Sequence, residues 1–512
     1  MARSEDILLG IDFGTGGCKV TAVYAESGAV AAEASVEYPT EYARAGWSEQ
    51  NPADWYAAMC RALSLVAQHG VNLKAVRAAA LDGSTHNAVL LGADMKPVRK
   101  TIMWTDQRSA PQCARLKEKF GDKIFQTAYQ MPAPTWTLPQ MMWLSENEPE
   151  VLPRVKRVLF VKDYVRYLLT GVACTDYIEA QGTLFFDMKN MRWSEELAEL
   201  SGLPFSSLPE LVKPADVVGK ITARASADTG LPEGMAIVCG TSDSAVEDYG
   251  AGAIRPGDCI IKLATAGNVN VMTAEPRPSA TTLTYSHVVE GMWYTVSATN
   301  AAALCLRWFR DAFCGEEKSA AEKTGEKVFA LIDALAEKSP AGANGVMFHP
   351  YLQGERSPYW DANLRASFTG VSISSTKGDF IRALMEGVAF SLKDCYGSIE
   401  KMGLGVERIF LIGGGARGKL WSKIIADVFG LAATVPIPGD ASYGSALLAG
   451  VGAGLFATPS EAVSQCLKFD RVVEPDAASA RAYSELFEKY KAAHDALAPV
   501  YSKYNLSKPN KE

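Results

Sequence analysis

The stretch from Leu9 to Val20 reads LGIDFGTGGCKV, in which an apolar run is broken first by Asp12 and then by a cluster of glycines. After the turn at Gly14–Gly17, apolar residues alternate with polar or small ones. This pattern predicts a β-hairpin with a glycine-rich tip. Glycines let backbone N–H groups approach an anion closely, and the hydroxyl of Thr15 can donate to the same anion. An ordinary hairpin with a flexible tip is the alternative interpretation of this stretch.

Asp12 stands just before the predicted tip, where a carboxylate can hold Mg²⁺ through water beside a bound phosphate. The stretch has neither the G-x-x-x-x-G-K-[ST] pattern of a Walker A loop nor a G-x-G-x-x-G spacing, because its glycines are Gly10, Gly14 and Gly17. We therefore interpret the stretch as a phosphate-binding hairpin of a different kind.

A second stretch, Cys259–Val271, has the same plan and reads CIIKLATAGNVNV. An apolar strand leads to small residues around Thr265 and Gly267, and a second strand follows. Two such hairpins, half a chain apart, indicate a duplicated α/β architecture in which two like domains close on one nucleotide. The Gly- and Pro-containing passage near Ala251–Gly257 is the predicted boundary between the domains.

Composition restricts the possible functions. A chain of 512 residues with 48% apolar and 21% charged residues is typical of a globular protein of two or three domains. The net charge of −7 leaves no basic footprint for nucleic acid. Apolar stretches are too short to cross a membrane, and the acidic start MARSED is unlike a signal peptide. We therefore expect no nucleic-acid or membrane partner.

The ten cysteines occur singly without any CxxC spacing, and the five histidines show no metal-ligand spacing. This usage predicts reduced thiols in a cytoplasmic protein without a structural zinc site.

Polar clusters follow several predicted strands, as they do at the ligand sites of α/β proteins. The clusters are Asp82–Asn87, Thr105–Arg108, Gly240–Ser244 and Gly413–Gly418. The last is a glycine-rich turn between a strand and a helix, which can aim amides at a nucleotide or can simply be a tight crossover. Asp243 can accept a proton from a substrate hydroxyl or can cap the helix that follows it.

These pieces, in this order, resemble the FGGY family of carbohydrate kinases over nearly the whole chain, from Ile7 to about Ala453. The opening GIDFGTGGCK is similar to the family's first phosphate loop, GTSDSA to the segment with the catalytic base, and GGGARG to the adenosine-binding turn. The chain departs from the family pattern at three main positions, which are Gly16, Gln140 and Ala264, and mildly at Leu384.

The resemblance implies two ribonuclease H-like domains of the actin, hexokinase and chaperone-type ATPase fold, with a cleft between them. The first domain, residues 1–253, is expected to bind the sugar and to carry the first phosphate loop and the catalytic base. The second, residues 254–512, is expected to carry the second phosphate loop and to bind adenosine. ATP and Mg²⁺ are the implied cofactors, and a homodimer is left open.

The site residues follow from the matching motifs. Asp243 is implied as the catalytic base and Asp12 as the residue that organises the metal. The implied ATP contacts are Thr15, Gly16, Gly17, Lys19, Thr265, Ala266, Gly414, Gly415 and Ala416. The implied sugar contacts are Thr85, His86, Asn87, Trp104, Asp106, Asp243 and Ser244.

Within the family the motifs are most similar to the xylulokinase branch, which implies transfer of the γ-phosphate of ATP to D-xylulose. That branch carries a Met-His pair where this chain has Thr85-His86, so L-ribulose, L-xylulose, autoinducer-type substrates and other polyols stay open. Two further functions are also weighed. The duplicated hairpins also occur in actin- or chaperone-like ATPases, and the three departures are compatible with a degenerate sugar sensor.

Overall fold

The computed structural model describes residues 6–504. Within that range the strands are β1 (Ile7–Phe13), β2 (Gly17–Tyr24), β3 (Val30–Glu37), β4 (Glu49–Gln50), β5 (Val76–Gly83), β6 (Ala88–Leu91), β7 (Thr101–Ile102), β8 (Arg157–Phe160), β9 (Cys174–Asp176), β10 (Phe186–Asp187), β11 (Arg192–Trp193), β12 (Glu210–Val212), β13 (Val217–Lys220), β14 (Ala236–Val238), β15 (Asp258–Leu263), β16 (Gly267–Thr273), β17 (Leu283–Ser286), β18 (Trp293–Thr299), β19 (Met347–His349), β20 (Ser367–Thr369), β21 (Arg408–Ile412), β22 (Ala433–Ile437) and β23 (Lys468–Val473).

The helices of the same range are α1 (Pro52–Gln68), α2 (Ala110–Ala128), α3 (Thr137–Asn147), α4 (Val161–Thr170), α5 (Tyr177–Gln181), α6 (Glu195–Glu199), α7 (Ala223–Thr229), α8 (Asp243–Gly250), α9 (Ala303–Phe313), α10 (Gly315–Thr324), α11 (Val328–Ala336), α12 (Lys377–Glu400), α13 (Lys419–Phe429), α14 (Ala441–Gly452), α15 (Pro459–Cys466) and α16 (Ala477–Tyr504). None of them combines the length and the hydropathy that a bilayer crossing requires.

Two large sheets repeat one plan. The first has the order β13-β14-β5-β1-β2-β3 and the second the order β17-β18-β16-β15-β21-β22-β23. In the first sheet β1 is antiparallel to β2 and parallel to β5, and in the second β15 is antiparallel to β16 and parallel to β21. Both predicted hairpins are therefore confirmed, and each lies inside its sheet. The predicted duplicated α/β fold is confirmed as well.

Two helices cross between the sheets. Each follows a strand of one sheet in the chain but contacts the other sheet. Helix α8 follows β14 of the first sheet, but its Asp248 accepts hydrogen bonds from Asn270 on β16 of the second. Helix α14 follows β22 of the second sheet, but it packs on β1 and β5 of the first. Each half of the chain therefore supplies a helix to the other half.

The crossing of α8 and α14 depends on glycine. A Cβ atom on Gly444 would lie 2.0 Å from the carbonyl oxygen of Val246, and one on Gly250 would lie 2.8 Å from the Cα of Gly444. Where α14 passes over β1, a Cβ atom on Gly10 would lie 1.7 Å from the carbonyl oxygen of Ser442. Side chains at these positions would push the helices and the strand apart.

Most local predictions are confirmed, with one correction. Helix α1 begins as predicted, since Asn51 accepts a hydrogen bond from Ala53 N–H and Pro52 is the first helical residue. The strand predicted for 231–238 is confined to β14, because the segment before it turns at Gly234, where φ is +78°. The cysteines are unpaired, and all but Cys60 are buried.

Candidate active site

Three loops of the first domain meet because the strands before them are adjacent and parallel. Strand β5 lies between β1 and β14, and its register places Asp82 opposite Asp12. Beyond the strand ends, Gly83 bridges to Ser242 in parallel. The tip of the first hairpin, the loop at Asp82–Asn87 and the start of α8 consequently share one edge of the sheet.

The tip of the first hairpin is held by three side chains. The indole N–H of Trp104 donates to Thr15 Oγ1 at 3.0 Å, and Gln50 Nε2 donates to the Thr15 carbonyl at 2.7 Å. The hydroxyl of Tyr38 donates to the Gly14 carbonyl. Gly16 is exposed at the apex. The tip is therefore fixed in place, and Trp104, predicted as a sugar contact, lies against the predicted phosphate loop.

Asp243 is the first residue of α8, and the helix is capped by the residue before it. Ser242 Oγ accepts a hydrogen bond from the Ala245 N–H, so the interpretation of Asp243 as the cap is wrong. The half-buried carboxylate of Asp243 accepts from the Ser244 N–H at 2.6 Å. Burial raises its pKa, while Lys262 and Ser244 act in the opposite direction. A raised pKa makes the carboxylate a stronger base.

Asp12 meets the requirements of a metal ligand. Its Oδ1 is buried and accepts no hydrogen bond within the described residues. Two of the neighbouring acids are already paired, since Lys19 Nζ lies 2.7 Å from Asp440 and Lys262 binds Glu247. Lys19, predicted to contact ATP, is thus held by Asp440. Residues 6–504 contain no group of three or more His, Cys, Asp or Glu side chains that could hold a metal.

Two of the predicted sugar contacts, His86 and Asn87, form hydrogen bonds within the protein. His86 adopts a left-handed conformation with φ of +51°, and its N–H donates to Glu179 Oε1 at 2.6 Å. Asn87 donates to the Ser84 carbonyl at 2.6 Å and accepts from the Trp104 N–H. These contacts set the path of the Asp82–Asn87 loop.

The imidazole of His86 is buried against Trp136, with ring centroids 4.8 Å apart, and burial lowers its pKa to about 3. Asp106 is also fully engaged, because both of its oxygens accept from the Arg108 guanidinium. Thr85 and Trp104 are half-buried. Of the predicted sugar contacts, the structure therefore presents Thr85, Trp104, Asp243 and Ser244 more openly than His86, Asn87 and Asp106.

The tip of the second hairpin meets the glycine-rich turn. A Cβ atom on Gly413 would lie 2.6 Å from the Leu263 carbonyl, and one on Gly415 would lie 2.8 Å from Leu263 Cβ. Gly414 is exposed and Ala416 is buried below it. The predicted adenosine turn and the predicted second phosphate loop, with exposed Thr265 at its apex, are thus adjacent.

Arg307 is a site residue that the sequence analysis missed. Its Nη2 donates to Thr265 Oγ1 at 2.6 Å, and the guanidinium is exposed. Strand β18 pairs Thr299 with Gly267, so α9, which starts four residues later, must pass the hairpin tip. The charge itself was visible in the sequence, but nothing local linked it to Thr265.

Two glutamines of the first half of the chain bind strand β17 of the second half. Gln181 Nε2 donates to Ser286 Oγ at 2.8 Å and its Oε1 accepts from the Ser286 N–H at 2.8 Å. Gln130 Nε2 donates to the Thr284 carbonyl at 2.6 Å. Both glutamines are buried against β17, the edge strand of the second sheet. Sequence patterns gave no sign of these contacts.

Comparison with known proteins agrees with this architecture. Residues 7–250 match the N-terminal domain model, and residues 260–453 the C-terminal domain model, of the FGGY family of carbohydrate kinases. A xylulose kinase of Bacillus subtilis (strain 168) is 33% identical over 94% of this chain and 96% of its own. A gluconokinase of the same strain is 27% identical over 88% of this chain and 87% of its own.

The crystal structure of a xylulose kinase from Rhodospirillum rubrum superposes with a TM-score of 0.86 at 27% identity, covering 97% of this chain and 100% of the other. The fold and these matches define a kinase that phosphorylates a carbohydrate. The chain belongs to the FGGY family of carbohydrate kinases, and ATP and a sugar are its small-molecule partners.

Proposed function

We propose that the sugar is a ketopentose, with D-xylulose the first candidate, and that the enzyme converts it to D-xylulose 5-phosphate. Relatives named xylulose kinase, similar over nearly their full length, support this choice. The observation that carries the reaction is Asp243, a half-buried carboxylate at the sheet edge that also carries the tip of the first hairpin.

In the proposed reaction the sugar hydroxyl oxygen attacks the γ-phosphorus of ATP. The bond between that phosphorus and the bridging oxygen breaks, ADP leaves, and Asp243 accepts the hydroxyl proton. Thr15 and Thr265 grip the phosphates from two sides, and the Gly413–Ala416 turn takes the adenosine. When bound near Asp12, Mg²⁺ supplies neutralisation of phosphate charge. The burial of Asp243 favours this proton transfer, because it raises the pKa of the carboxylate that accepts the proton.

Electrostatics favours a neutral acceptor over an anionic one such as gluconate. The cations around Asp243 and the Asp82–Asn87 loop are paired with carboxylates: Lys262 with Glu247, Lys162 with Asp163 and Asp176, and Arg108 with Asp106 and Glu49. These carboxylates would repel an anionic acceptor, because the cations named here are already paired with carboxylates. A neutral ketose avoids this repulsion.

The experiment is an ADP-release assay with Mg-ATP and a panel of D-xylulose, L-xylulose, D- and L-ribulose, glycerol, L-rhamnulose, L-fuculose and gluconate. Wild type is compared with Asp243→Asn and with Asp122→Asn, a matched change at an exposed position of α2. We expect a preference for one neutral ketose and a loss of about 10²–10⁴-fold in Asp243→Asn only. ADP release that ignores every sugar would instead support the ATPase alternative.

A further inference from the structure

Five carboxylates crowd the ends of β1, β5 and the two crossing helices: Asp12, Asp82, Asp243, Glu247 and Asp440. Two of them have lysine partners, since Lys19 binds Asp440 and Lys262 binds Glu247. Asp243 accepts hydrogen bonds from the backbone N–H and the hydroxyl of Ser244. The remaining pair has no cationic partner within the described residues.

That remaining pair is Asp12 and Asp82, which face each other across parallel strands in exact register. Because residues paired in register on parallel strands present their side chains to the same face of the sheet, the two carboxyl groups are neighbours. Asp82 is 0% exposed, and its Oδ1, like Asp12 Oδ1, has no donor among the described residues. Asp82 Oδ2 accepts from the hydroxyl of Ser445 at 2.6 Å, which holds the carboxylate in place.

Two adjacent carboxylates, of which Asp82 is buried and Asp12 half-buried with a buried Oδ1, are unfavourable unless a proton or a cation joins them. Mg²⁺ is commonly held by one or two carboxylates and takes its other ligands from water and phosphate. A hydrogen bond to the far oxygen of a ligating carboxylate, as Ser445 makes, is typical of such sites.

We propose that Asp12 and Asp82 together form a divalent-cation site that binds Mg²⁺ or Mn²⁺ directly, one oxygen from each carboxylate, before ATP binds. The inference rests on the proposed function, because the cation is the one that accompanies ATP. It goes further in assigning Asp82, a buried residue for which neither its motif nor its loop indicates a metal role.

The test is Mn²⁺ titration of the full chain, freed of metal and nucleotide, with free Mn²⁺ followed by electron paramagnetic resonance. We expect one Mn²⁺ per wild-type chain, displaced by excess Mg²⁺. Asp82→Asn and Asp12→Asn are expected to weaken binding at least about tenfold. Asp122→Asn is the matched control and is expected to bind as the wild type does. Equal affinity in Asp82→Asn, or no wild-type binding until ATP is added, would overturn the proposal.

Thermal unfolding in EDTA checks that the variants fold. Asp82→Asn removes one of two unpaired buried charges, so we expect it to melt at or above the wild-type temperature without metal, and to gain less than wild type from added Mg²⁺. Equal Mg²⁺-dependent shifts in both proteins would count against the site. Since no sugar is present, the titration is independent of the sugar panel. Mn²⁺ binding that needs Asp82, without sugar-dependent ADP release, would retain the cation site and reject the proposed function.

Discussion

The indole N–H of Trp104 and the hydroxyl oxygen of Thr15 are 3.0 Å apart, although 89 residues separate them in the chain. The loop after β7 and the tip of the first hairpin are therefore one unit. Trp104, which is expected to contact the sugar, also orients Thr15, which is expected to contact phosphate. This hydrogen bond connects the expected sugar site with the expected phosphate site.

We predict that Trp104→Phe raises the KM for ATP about 3- to 10-fold. The change keeps the aromatic ring but removes the donor to Thr15, and one hydrogen bond contributes about 0.5–1.5 kcal/mol. Steady-state kinetics with varied ATP measures the effect. Trp193→Phe is the control, because it loses a comparable bond, to the Pro209 carbonyl, away from the site. An unchanged KM for ATP in Trp104→Phe would contradict the proposed role of the Trp104–Thr15 hydrogen bond in ATP binding.

Arg307→Gln is expected to raise the KM for ATP about tenfold and to leave the KM for sugar unchanged. The guanidinium contacts Thr265, and a hydrogen bond from a charged group contributes about 1.5–3 kcal/mol. Arg310→Gln on the same helix is the control, because Arg310 pairs with Asp311 instead. Similar kinetics for the two variants would exclude a specific role for Arg307.

Gly16→Ser is expected to lower the KM for ATP several-fold. A Cβ atom at Gly16 meets nothing within 4 Å, and its φ lies outside the left-handed region, so serine fits without strain. The added hydroxyl stands at the apex of the phosphate loop and supplies one more donor, worth about 1 kcal/mol. The melting temperature is expected to stay unchanged. A higher KM would show that the open apex itself is needed.

Gly444→Ala and Gly397→Ala are expected to change stability in opposite directions. The first places a methyl group 2.0 Å from the Val246 carbonyl and is expected to cost about 3 kcal/mol or to prevent folding. The second lies within α12 with nothing within 4 Å and is expected to stabilise the fold by about 0.4–1 kcal/mol. Urea unfolding compares them. Equal stabilities would contradict the close crossing of α8 and α14.

His287→Asn is expected to reduce the loss of stability in acid. Burial lowers the pKa of His287 to about 3, so the unfolded chain takes up a proton below about pH 6.5 while the folded chain does not. The free energy of unfolding therefore falls by up to about 1.4 kcal/mol per pH unit from this group. Asn can still accept from the Val289 N–H. Urea unfolding of the wild type and of His287→Asn between pH 7 and 5 measures the difference. Equal losses of stability in the two proteins would refute the prediction.

Features set by a few neighbouring residues could be predicted from the sequence. The alternation around Asp12 gave the first hairpin, and Asn51-Pro52 gave the start of α1. The repetition of the hairpin gave the duplicated fold, because the same local pattern recurs in each sheet. Asp243 was located by its motif, and only the structure showed that Ser242 caps its helix.

Features set by distant pairs could not be predicted. The Lys19–Asp440 ion pair spans 421 positions, and it exists because α14 returns to the first sheet. The pairing of Asp12 with Asp82 depends on the register of β1 and β5, which no single stretch encodes. His86 is buried against Trp136, and its left-handed backbone and its bond to Glu179 fix the loop. Each of these contacts is decided by packing rather than by local preference.

The position of α14 has a consequence for synthesis of the protein. Leu8, Ala78 and Ala80 belong to the hydrophobic cluster that also contains Leu447 of α14. While the nascent chain is being translated, these strands leave the ribosome long before the helix that covers them. The apolar face of the first half stays open to chaperones and to aggregation until the second half is nearly complete. Translation that stops between the two hairpins leaves a fragment that lacks the helix covering this face of its sheet.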